Sequence, residues 1–119
     1  MLLLIHGRLA TTVVLFALAL GVWAAFGFFR KDQVSPSYRG ALIIGELLML
    51  LQALFGVLMV LVGTLPADLL HIMYGALVAL SWPAVYVYTN ARMGRTELGY
   101  YSLASFLICG LALRAIMTS

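Results

Sequence analysis

The sequence predicts an all-α membrane protein, an up-down-up-down bundle of four transmembrane helices with its N- and C-termini outside. Three observations carry this. The 119 residues are 65% hydrophobic and 9% charged, whereas a soluble domain is roughly half apolar and about a quarter charged. Mean hydropathy is +1.11. Four apolar runs, roughly Leu3–Phe29, Gly40–Gly63, Asp68–Thr89 and Leu98–Met117, each reach the length of about 20 residues that crosses a bilayer. These runs use nearly the whole chain, so the expectation is a single domain over residues 1–119. Its core would consist of helix–helix contacts within lipid.

The first run ends in Phe28, Phe29, Arg30 and Lys31, an aromatic and basic membrane-interface signature. It is longer than the apolar core of a secretory leader and lacks a small-x-small cleavage pattern, so it is expected to be retained. Asp32–Ser37 reads as a polar turn. The second run carries Glu46 and Gln52, neither of which belongs against lipid. Gln52 and Gly56 share a face, being four residues apart. Gly63 to Ala67 reads as a tight outer turn, with Asp68 as a cap for the third helix. The third run holds His71 and Gly75 on one face, and Pro83, which a membrane helix tolerates. The fourth begins near Glu97 and ends near Arg114.

The net charge of +3 marks topology rather than a nucleic-acid partner. Arg30, Lys31, Arg39, Arg92 and Arg95 lie in or beside the first and third turns, against Arg8 and Arg114 at the other ends. The positive-inside rule then puts the first and third turns in the cytoplasm of a prokaryotic-type plasma membrane. The lone Cys109 lies in an apolar run, reads as a core residue, and gives no intrachain disulfide.

The chain has two histidines, His6 and His71, each near the outer entrance of an odd-numbered helix. In an antiparallel four-helix bundle, helices one and three are diagonal partners. Inward-facing imidazoles at matched depth would therefore meet across the bundle axis. That arrangement suits axial ligation of one haem b from both sides, with haem near the extracytoplasmic face. Ala10 and Gly75, one turn below each histidine, leave room for a porphyrin edge. Arg8 and Arg114, at the same end, have the charge to pair with propionates. Met59 and Met73 are secondary candidates as ligands. The absence of CxxCH argues against covalent attachment.

On these residues the chain resembles one half of haem A synthase. The resemblance covers roughly residues 3–90. It is carried by His6 with Arg8 at an outer helix entrance, by Gln52-Ala53-Leu54-Phe55-Gly56, and by Leu70-His71 after a short outer loop. It implies that His6 and His71 are axial ligands of a b-type haem, that the Gln52–Gly56 face lines the pocket, and that the N-terminus lies outside. The chain departs from the family at Leu3, where a catalytic glutamate is expected, and at Gly7, which separates His6 from Arg8. The outer-loop cysteine pair is also missing.

Together these readings lead to a membrane b-type cytochrome for electron transfer, a small subunit among other membrane subunits or a homo-oligomer in lipid. The alternatives are a haem-modifying enzyme acting as a dimer, a small proton-coupled exporter dependent on Glu46, and a structural subunit without cofactor. Glu46 itself reads most simply as an acid hydrogen-bonded to a neighbour or reaching toward the cytoplasm. Gln52 reads as a contact between helices, and Trp23 and Trp82 as packing or interface anchors.

Overall fold

The computed structural model describes residues 2–66 and 68–118. Ala67, the last residue of the expected outer turn, lies outside the described residues, as do Met1 and Ser119. Four helices are present: α1 (Leu2–Phe29), α2 (Pro36–Leu61), α3 (Leu70–Tyr88) and α4 (Arg95–Thr118). All four are long and apolar enough to cross a membrane. Large apolar side chains such as Leu47, Leu54, Val87 and Leu103 point outward, as a lipid-facing surface requires.

The helix boundaries have local causes. The polar turn expected up to Ser37 is shorter, because α2 starts at Pro36. Ser35 caps it, its side chain accepting from the Tyr38 N–H at 3.1 Å, and Pro36 fits the first turn, where its missing N–H costs nothing. The start of α4 at Arg95, two residues before the expected Glu97, rests on the Glu97 side chain. Its carboxylate reaches back to accept from the Gly94 N–H at 3.0 Å, which is half of a capping box. Before α3, Asp68 accepts from the Leu70 N–H at 3.0 Å.

Three helices finish in the same way. The Asp32, Thr64 and Ala91 N–H groups return to Gly27, Met59 and Tyr86, while those of Lys31, Gly63 and Asn90 return to Phe28, Val60 and Val87. This paired closure satisfies orphan carbonyls and needs a left-handed residue at its corner. Lys31, Gly63 and Asn90 supply it, with φ of 64°, 91° and 52°. The first and third turns are tied together by the Val34 N–H on the Met93 carbonyl at 3.0 Å.

Neighbouring helices run antiparallel, as cross-helix hydrogen bonds show. The Tyr38 hydroxyl, near the start of α2, donates to Leu20 O late in α1 at 3.0 Å. Ser102 of α4 donates to Gly21 O of α1 at 3.0 Å. The Trp82 indole N–H of α3 donates to the Ser105 hydroxyl of α4, also at 3.0 Å. α1 and α3 each pack on α2 and α4, not on each other, so they occupy diagonal corners. The α1–α4 seam is the closest because small residues line it. Ala17, Gly21 and Ala24 are buried on α1, Gly21 against Ser102 of α4, and small residues let helix backbones approach in lipid.

The core is lopsided. Tyr38, Leu42, Met49, Val78, Trp82, Leu98, Tyr101 and Ile108 are buried through the middle of the bundle and toward the end that carries the first and third turns. At the opposite end, described residues 2–12, 50–66, 68–77 and 110–117 include only two buried residues, Met59 and Ala112.

Candidate functional site

At this thinly packed end the histidines meet. Because α1 and α3 point the same way at diagonal corners, their N-terminal turns lie at one level. Helical side chains lean toward the N-terminus, which carries both rings further toward that end. The ring centroids of His6 and His71 lie 5.9 Å apart, with their planes inclined by 65°. Both side chains are partly buried.

Each histidine is tied to a neighbouring helix. His71 Nδ1 lies 2.7 Å from Ala115 O. A carbonyl only accepts, so Nδ1 carries the proton, and in the neutral ring the lone pair is on Nε2. Ala115 lies in the last turn of α4, so this contact ties the start of α3 to the end of α4 while it sets the tautomer of the ring. On the other side, Gln52 Nε2 donates to the backbone carbonyl of His6 at 2.8 Å. One turn further along α2, a Cβ built on Gly56 would meet only His6 Cε1, at 3.4 Å. A larger residue there would push the ring away.

The Nδ1 of His6 is buried without a hydrogen-bond partner, as is Oε1 of Gln52. Buried polar atoms of this kind cost free energy and are rare.

The remaining expected site residues are arranged around this pair. Ala10 is partly buried one turn deeper on α1. Gly75 is exposed, and a Cβ there would meet nothing within 4 Å. Arg8 is exposed on α1, and Arg114, next to Ala115, is exposed on α4 at the same end. Of the two methionines considered, Met59 is buried and Met73 exposed. Ala115 was not singled out in the sequence. A backbone acceptor has no residue-type signal, and only its position in a final helical turn marks it.

Of the Glu46 carboxylate, Oε2 is buried without a hydrogen-bond partner. A hollow of about 510 Å³ bordered by Trp23, Arg30, Asp32, Tyr38 and Leu98 lies at the end remote from the histidines. It shares no residue with the site.

No group of three or more His, Cys, Asp or Glu side chains converges among the described residues. The two imidazoles are the side chains here that could serve as ligands to a haem, which supplies the rest of its donors itself, and the packing around them is sparse.

No known protein family, curated protein or solved structure matches the chain.

Proposed function

We propose that this is a membrane b-type cytochrome in which His6 and His71 hold one haem b for electron transfer. The observation that supports it is the 5.9 Å approach of two histidine rings brought from diagonal helices to one level. They are also the only histidines in the chain. His6 and His71 would hold the haem, which would supply a one-electron couple.

The protein's residues divide the work. Ala115 O holds the His71 ring so that Nε2 is the ligating nitrogen. Gly56 leaves space for the His6 ring against α2. Ala10 and Gly75 keep the deeper turns narrow, and Arg8 and Arg114 put positive charge on the rim that anionic propionates need. The positive charge of the first and third turns favours a reading in which this end faces the extracytoplasmic side of a prokaryotic plasma membrane. The small size of the bundle suits a subunit of a larger redox assembly or an oligomer. The resemblance of His6, Gln52–Gly56 and His71 to half of a haem A synthase points to the same ligand set.

The test is a reduced-minus-oxidised absorption spectrum of the purified protein, expressed with haem available. Narrow bands of a low-spin haem are expected, and both His6→Ala and His71→Ala should abolish them. A colourless preparation that also takes up no added haemin overturns the proposal. Bands that survive both substitutions do the same.

A further inference from the structure

We propose that Gln52 is the positioning residue of His6: its side-chain carbonyl oxygen is the acceptor for the Nδ1 proton of that ring. The inference rests on the haem reading above and deepens it.

Gln52 Nε2 donates to the His6 carbonyl at 2.8 Å. A backbone carbonyl cannot donate, so this contact fixes which end of the amide is nitrogen. The oxygen is therefore the end left over, and it is buried without a partner. The only other buried side-chain polar atoms without partners among the described residues are Glu46 Oε2 and His6 Nδ1. One of these belongs to the very residue whose carbonyl Gln52 already holds. An amide oxygen is an acceptor, and an imidazole nitrogen carrying a proton is its complementary donor.

The ring already faces the right way. His6 Cε1 is the atom nearest to where a Cβ on Gly56 would stand. Cε1 stands between Nδ1 and Nε2, so the nitrogen-bearing edge of the ring lies against α2, on the face that Gln52 shares. A hydrogen bond between the two orphans would relieve both desolvation costs. With Nδ1–H held by Gln52, Nε2 keeps its lone pair and becomes the ligating atom. The arrangement then mirrors that of His71, whose Nδ1 proton goes to Ala115 O. Each axial ligand has a carbonyl acceptor behind it, the common means by which proteins orient an imidazole and raise its basicity.

The experiment compares the haem-loaded wild type with Gln52→Leu and Gln52→Glu. It reads the midpoint potential by optical titration and haem loss to an apoglobin trap. Leucine removes the acceptor, so the potential should rise, and haem should be held about 10- to 100-fold less tightly. Glutamate keeps an acceptor and adds charge, so the potential should fall below that of wild type while haem is retained. A packing role alone leaves the potential of Gln52→Leu unchanged, and that result overturns the proposal. So does a shift of both variants in the same direction. If Gln52→Leu does not fold, the direction of the Gln52→Glu shift decides. A wild type whose haem bands survive loss of His6 refutes the ligand assignment itself, which the histidine variants reveal separately.

Discussion

The Trp82 side chain of α3 packs directly against Gly45 of α2, and Gly45→Ala tests how firmly that contact is built. A Cβ at Gly45 would lie 2.6 Å from Trp82 Cζ3 and 2.9 Å from both Trp82 Cη2 and Phe16 Cε1. Ordinary contact begins at 3.4 Å, so the two helices must part by up to about 0.8 Å or the indole must move. The indole is poorly placed to move. It is 4% exposed, and its N–H is fixed on the Ser105 hydroxyl at 3.0 Å. Overpacking of this kind costs about 1–3 kcal/mol, offset by up to ~1 kcal/mol because alanine is the better helix former. The net expectation is a loss of roughly 1 kcal/mol, a few degrees in thermal midpoint. Thermal unfolding in detergent micelles, followed by circular dichroism, measures it. Trp82→Phe removes the two indole atoms concerned. In that background only the Phe16 contact remains, so alanine should be penalised less, and a double-mutant cycle should show coupling of up to about 1 kcal/mol. A Gly45→Ala protein as stable as wild type, with no coupling to position 82, refutes the close approach.

Three further outcomes are expected. Ser105→Ala strands the buried Trp82 N–H and should destabilise the bundle by about 1–3 kcal/mol in the same assay. Lys31→Gly should raise stability by up to ~1 kcal/mol, because a side chain at φ 64° carries a left-handed penalty that glycine avoids. A stability equal to or below that of wild type would show that the Lys31 side chain makes a compensating contact. Gly56→Leu should drive the His6 ring off α2 and abolish haem uptake, read as loss of the absorption bands, while Gly40→Ala, where a Cβ meets nothing within 4 Å, should leave them intact.

The four helices were legible because lipid demands long apolar runs, and a run that satisfies lipid is hard to mistake. Their ends were less so. Ser35-Pro36 and Gly94 with Glu97 are helix-start signals written in polar residues, and an apolar run says nothing about them. The meeting of His6 and His71 followed from topology alone, since two like-facing helices at diagonal corners place equivalent turns at one level. The seam between α1 and α4 was not read. Ala17, Gly21 and Ala24 recur at helical spacing and gave a usable signal, but Ser102 and Ser105 look like ordinary polar breaks until their partners, Gly21 O and Trp82, are seen. Nothing in the sequence pointed to Ala115, because its contribution is made by backbone.

The lopsided distribution of buried side chains has a consequence for biogenesis. Helices stapled from the middle to the two-turn end would, on the proposed reading, have no need of a pigment to find their partners, so assembly would not wait for cofactor delivery. The half-finished mouth would then stay receptive, and a guest could arrive late without dismantling what has already been put together.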